Sequence, residues 1–144
     1  MRKVASLFTA ALLTAAFFST ALAHETQTVG RGAQQYAVIL GIASEPAFTD
    51  EHNGLDLIIE DADGEPVENL ENSLRATLTS PDGSATRDLT LRPVYGEPGT
   101  YTDDFVLTEP GVYRVRVHGF IGETKVDLTF ETHEVAPLAN LRFP

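Results

Sequence analysis

From Tyr36 onward, apolar and polar residues alternate with a period of two. Tyr36, Val38, Leu40 and Ile42 share one phase, and Ala37, Ile39 and Gly41 make the other face apolar as well. The same alternation returns at Leu55–Leu57–Ile59, Leu74–Ala76–Leu78 and Leu89–Leu91, then at Tyr101–Phe105–Leu107, Tyr113–Val115–Val117 and Val126–Leu128–Phe130. Each segment is short and rich in β-branched or aromatic residues, as strands are. Between them stand Glu45-Pro46, Asp61-Ala62-Asp63-Gly64, Pro81-Asp82-Gly83, Glu97-Pro98-Gly99 and Glu109-Pro110-Gly111, where Pro fixes a turn corner and Gly or Asp tolerates positive φ. Seven strands at this spacing predict an all-β, seven-stranded, immunoglobulin-like antiparallel β-sandwich over residues 35–133.

The ends of the chain break this pattern. Arg2 and Lys3 precede an apolar run from Leu7 to Phe18, followed by Ala21-Leu22-Ala23, the layout of a secretory signal peptide over residues 1–23. Residues 24–34 are polar and aperiodic and are expected to form a flexible N-terminal arm. Residues 134–144 are a C-terminal tail. The expected location is extracytoplasmic, periplasmic or secreted.

Charge removes several function classes. All 21 acidic residues but only eight of the ten basic ones follow residue 23, so the mature chain would carry −13 against −11 for the whole. Phosphate neutralisation needs clustered Lys and Arg, so nucleic acid is a poor partner. No cysteine is present, which excludes disulfides, thiolate metal sites and a cysteine nucleophile. The single methionine is Met1, and no second apolar stretch reaches transmembrane length. No G-x-S-x-G, H-E-x-x-H or Gly-rich phosphate loop occurs, so a non-enzymatic protein is expected.

The histidines are the candidate chemistry. Cleavage after Ala23 would make His24 the first residue, with its α-amine and ring Nδ1 forming a chelate; one further imidazole completes a three-nitrogen site suited to Cu(II). Seven consecutive strand reversals place His24 and His118 at one end of the sandwich, with Asp63 and Asp103 as oxygen donors. His52 and His133 fall at the other end, as a weaker pair. The Asp61-x-Asp63-Gly64-Glu65 stretch lacks the spacing of a calcium loop and reads as a turn. Pro98-Gly99-Thr100-Tyr101 and Pro110-Gly111-Val112-Tyr113 repeat one motif, in which the turn glycine leads into a Tyr whose hydroxyl reaches back to backbone; Gly99, Gly111, Tyr101 and Tyr113 are therefore assigned structural roles.

With its N-terminal His, Glu45-Pro46-Ala47, Asp63-Gly64-Glu65-Pro66-Val67 and paired Pro-Gly-x-Tyr motifs, the chain resembles small exported bacterial YtkA-like β-sandwich domains. It is loosely similar to CopC-type copper-resistance proteins. That resemblance implies copper binding through the mature N-terminal His with further His and Asp ligands. The expected function is metal handling beside an unknown envelope or metal-pathway partner. The rival expectation is an interaction module for a protein or polymer of the cell envelope, with no metal.

Overall fold

The computed structural model describes residues 24–144, and the expected leader, residues 1–23, lies outside the described residues. In chain order the strands are β1 (His24–Val29), β2 (Tyr36–Ile42), β3 (His52–Glu60), β4 (Leu74–Thr79), β5 (Thr86–Leu89), β6 (Arg92–Pro93), β7 (Thr100–Thr102), β8 (Asp104–Val106), β9 (Arg114–Ile121) and β10 (Thr124–Glu131). One antiparallel sheet has the order β1-β2-β3-β7-β6, with β8 also on β3; the other runs β10-β9-β4-β5. The inward phase of each sheet fills the space between them. Val38, Leu40, Leu55, Leu57, Ile59 and Tyr101 from the first meet Leu74, Ala76, Val115, Val117, Val126 and Phe130 from the second, all buried. Helical structure among the described residues is limited to 3-10 turns at Gly32–Gln34 and Leu138–Leu141. The molecule is an immunoglobulin-like antiparallel sandwich, and no described helix is long and apolar enough to cross a membrane.

Three segments differ from the alternation-based expectation. The first is the N-terminal arm. Residues 24–29 pair with β2 over six positions, from His24 opposite Gly41 to Val29 opposite Tyr36. A polar sequence suffices here because the strand satisfies the backbone edge of β2 and needs only one half-covered face. Its side chains also bind the far sheet: Gln27 Nε2 donates to the Thr129 carbonyl at 2.8 Å, and a Glu25 carboxylate oxygen accepts the Glu131 amide.

The second is the segment around Leu89 and Leu91, which reads as one strand but serves two sheets. β5 pairs with β4, the chain then crosses between layers, and β6 pairs with β7. Leu89 and Leu91 both stay buried through the crossing, so the alternation survives while the sheet changes.

The third is the segment from Tyr101 to Leu107, which divides at Asp103 into β7 and β8. Both pair with β3 in the same register, and the Asp103 carbonyl between them accepts the Leu55 amide at 2.9 Å. The Asp103 carboxylate accepts the Thr90 amide at 3.0 Å and pairs with Arg92 Nη1 at 3.3 Å, so it holds the crossover against this strand.

The C-terminal segment also contributes to the core. Val135 is fully buried and exchanges two backbone hydrogen bonds with Gly111, both 2.9 Å.

Candidate functional site

Because β1 is a strand, it adds one reversal and moves His24 to the opposite end from the one strand parity predicts. Gly41 stands between His24 on β1 and Asp56 on β3 in successive ladders. With no side chain at that position, His24 Nε2 reaches Asp56 Oδ2 at 2.8 Å. His24 also lines a cavity of about 390 Å³ with Glu25, Glu45, Glu131 and His133. His133 Nδ1 is itself 3.0 Å from Glu45 Oε2. His24 and the His133–Glu45 pair therefore share one depression.

The remaining expected ligands lie elsewhere. His118 is on β9 in the other sheet, opposite Arg75 on β4 and Asp127 on β10. Asp103 is engaged by Thr90 and Arg92, and Arg87 Nη2 lies 3.9 Å from it. Asp63 sits in an exposed turn, where its amide donates to Asp61 Oδ1 at 2.9 Å. His52 pairs with Asp104 at 3.3 Å, apart from the His133–Glu45 pair. His24, His118, Asp103 and Asp63 are thus not brought together, and neither are His52 and His133. Among the described residues no three His, Asp or Glu side chains form a group able to hold a metal ion. Strand counting failed at its first step, since an edge strand without apolar alternation leaves no periodic signal. Asp56, which His24 reaches only because β1 pairs with β2, went unseen for the same reason.

The paired turn motifs carry hydrogen bonds to backbone. Tyr101 hydroxyl donates to the Val67 carbonyl at 2.7 Å and accepts the Leu70 amide at 3.2 Å. Tyr113 hydroxyl donates to the Glu109 carbonyl at 2.8 Å and accepts that residue's amide at 3.1 Å. Burial pushes both phenols above their ordinary range. Gly99 has φ +71°, and a Cβ there would stand 2.7 Å from Pro66 Cβ and 2.9 Å from the Ile59 carbonyl. Gly111, at φ +129°, packs against Pro81.

The sandwich edges differ in how they are closed. β6 is two residues long and includes Pro93, which has no amide hydrogen. β1 and β10, on one side, are joined by the Gln27 and Glu25 contacts. On the other side β5 and β8 face each other across a groove of about 170 Å³ lined by Leu78, Phe105, Leu107 and Tyr113. The Ser80–Ala85 hydrogen bond sets the ladder phase, so Thr86 and Asp88 turn their backbone groups away from β4. The Leu55–Asp103 bond sets the phase of β8, so Asp104 and the half-exposed Val106 turn theirs away from β3. Arg87 Nη2 donates to the outward Asp104 carbonyl at 3.1 Å, a side chain standing where a neighbouring strand would be. The Arg92 guanidinium beside Asp104 holds that carboxyl below the usual carboxylate range.

No family model matches the chain, and no curated protein matches it. Solved structures resemble it, among them the following two. A filamin domain of Lin-41 aligns with a TM-score of 0.44 at 19% identity, over 64% of this chain and 89% of that one. A DUF4426 family protein from Pseudomonas aeruginosa aligns with a TM-score of 0.56 at 16% identity, over 78% of this chain and 95% of that one. The likeness to the Pseudomonas protein is one of fold: this chain shares its β-sandwich architecture.

Proposed function

We propose that this chain is an exported, non-enzymatic interaction module of the cell envelope that docks an extended segment of a partner protein between β5 and β8. The observation that carries this reading is that these two edges turn backbone groups outward across an apolar groove, while β1, β10 and β6 are covered or blocked. An open strand edge offers main-chain hydrogen bonds to an added strand, and the groove takes one of its side chains. Arg87 and Glu109 are the charged side chains that line this groove. Photo-crosslinking from position 106 in the native envelope tests it. One partner should be captured, and Val106→Lys or Thr86→Pro should abolish the crosslink while leaving the thermal unfolding transition in place. Crosslinks no stronger than those from Thr129 on the closed side would refute it.

A second reading, Cu(II) handling through His24, is favoured by the cavity that His24 shares with His133. Its further supports are the resemblance to CopC-type domains and the α-amine that removal of residues 1–23 would free beside Nδ1. His133 then replaces His118 as the second imidazole. Intact mass of the secreted protein, followed by electron paramagnetic resonance during copper titration, separates the cases. A nitrogen-rich signal lost in His133→Ala but kept in His118→Ala supports this reading; a different first residue, or a signal indifferent to both substitutions, refutes it.

A further inference from the structure

Six large apolar side chains are exposed among the described residues, and four of them, Val106, Val112, Leu141 and Phe143, belong to segments that meet at one end of the sandwich. Backbone hydrogen bonds join those segments. The Asp50 amide donates to the Leu107 carbonyl at 2.8 Å, and the Thr49 amide donates to the Ala136 carbonyl at 2.9 Å. Gly111 and Val135 exchange amide and carbonyl, again at 2.9 Å. The tail after Val135 therefore leaves the body close to Leu107, which lines the groove between β5 and β8. Single exposed apolar residues are ordinary on a protein surface, whereas several at one place mark a contact.

The tail does not fill the groove it passes. The Leu138 amide donates to the Thr49 hydroxyl at 3.2 Å, Leu138–Leu141 form a 3-10 turn, and Arg142 follows in extended backbone at φ −73° and ψ 137°. No residue of the tail lines the groove. Leu141 is 60% exposed and Phe143 97%, so the gain from burying both side chains is still unrealised. Leu141, Arg142 and Phe143 read apolar, charged, apolar. In an extended chain the two apolar side chains share one face and Arg142 takes the other. Pro144 has no amide hydrogen and disfavours helical backbone at Phe143. A short extended segment of this kind is suited to addition at an open strand edge.

We propose that two copies of this chain exchange tails, each setting Phe143 into the β5–β8 groove of the other. The inference rests on the β5–β8 docking reading and names its occupant. The groove, about 170 Å³, has room for one large side chain, and the area withdrawn from water is chiefly that of Phe143 itself. Charge agrees with this pairing. Arg87 at the groove is already engaged by the Asp104 carbonyl and Asp103, which leaves the exposed Glu109 without an ion pair among the described residues. Arg142 is the one charged residue after Glu134, and it brings the opposite sign. Because the base of the tail adjoins the groove, a twofold relation forms both exchanges at once and closes the assembly at two copies.

Sedimentation of the secreted protein over a range of concentrations, combined with a photo-crosslinker at position 106, tests the proposal. Monomer and dimer should interconvert with concentration, and Phe143→Ser should weaken the dimer at least about tenfold. Phe120→Ser removes a side chain of 52% exposure from β9 and should leave the dimer unchanged. Both phenylalanines are exposed, so neither substitution opens the core. The crosslink should fall within residues 139–144, in a species of twice the chain's mass. A crosslink to those residues within a single chain would overturn the exchange, because the tail would then fill its own groove. A protein that stays monomeric up to millimolar concentration would overturn it as well. In that case, capture of a different protein from position 106 in the envelope leaves the docking reading standing, whereas no capture removes both.

Discussion

His24 and Asp56 meet across a glycine: the two residues flank Gly41 in adjacent ladders, and Nε2 lies 2.8 Å from Oδ2. The side chains are 31% and 29% exposed, so solvent screens the pair. A double-mutant cycle with His24→Ala and Asp56→Ala is expected to give a coupling of at most about 1 kcal/mol by urea unfolding. Gly41→Val should remove that coupling, because a side chain would then stand between them. A coupling unaffected by Gly41→Val would show that the contact does not depend on the gap.

The two tyrosine hydroxyls are expected to differ in weight. Tyr101 joins residues 31 and 34 positions away, through Leu70 and Val67, whereas Tyr113 closes a loop only four residues long. Tyr101→Phe should cost about 1–3 kcal/mol, since a buried amide and carbonyl lose their partner. Tyr113→Phe should cost less. Denaturant unfolding of both variants checks the order, and the reverse order would contradict it.

Gly99 and Gly96 offer a matched test of backbone and space. Both have positive φ, +71° and +80°, but only Gly99 has neighbours where a Cβ would go. Gly96→Ala is expected to cost about 1 kcal/mol from conformation alone. Gly99→Ala adds a clash with Pro66 and the Ile59 carbonyl and should cost visibly more, measured as the difference in unfolding midpoint. Equal costs would mean that Pro66 gives way freely.

Asp82 sets an acid limb of the pH dependence. The Ser84 amide, then the Ser80 hydroxyl, favour its ionised form and lower it to about 2. The folded value lies below the unfolded one, so the stabilisation is present above the ordinary carboxylate range and is lost as pH falls through about 2. Carboxyl-detected NMR should show Asp82 titrating well below the ordinary carboxylate range. Substitution by Ala should remove its contribution to acid sensitivity. Titration near the ordinary value would show that the turn does not hold the carboxylate.

Alternation revealed the core because buried faces demand it. Val38, Leu57, Val117 and Phe130 are in the phase that the polar neighbours define, and all are fully buried. The sheet assignment of individual residues was not equally legible. Leu89 and Leu91 keep one apolar phase through a change of sheet, because the core reads side chains and not hydrogen-bond partners. β1 was invisible for the complementary reason: His24-Glu25-Thr26-Gln27 has no apolar stripe, and its pairing follows from the open edge of β2. That one strand relocates His24 from the His118 end to the His133 end. The candidate site was therefore legible in residue type but not in grouping.

The meeting of His24 and His133 at one cavity makes the domain nearly a closed ring. A short Gly-rich linker from Pro137 back to His24 would complete the loop and retain the buried Val135. New ends could then be opened in the exposed turn beside Tyr95 and Gly96. Such a circular permutant would keep all ten strands while fixing β1 by covalent continuity, leaving the order of chain segments as a free variable of this sandwich.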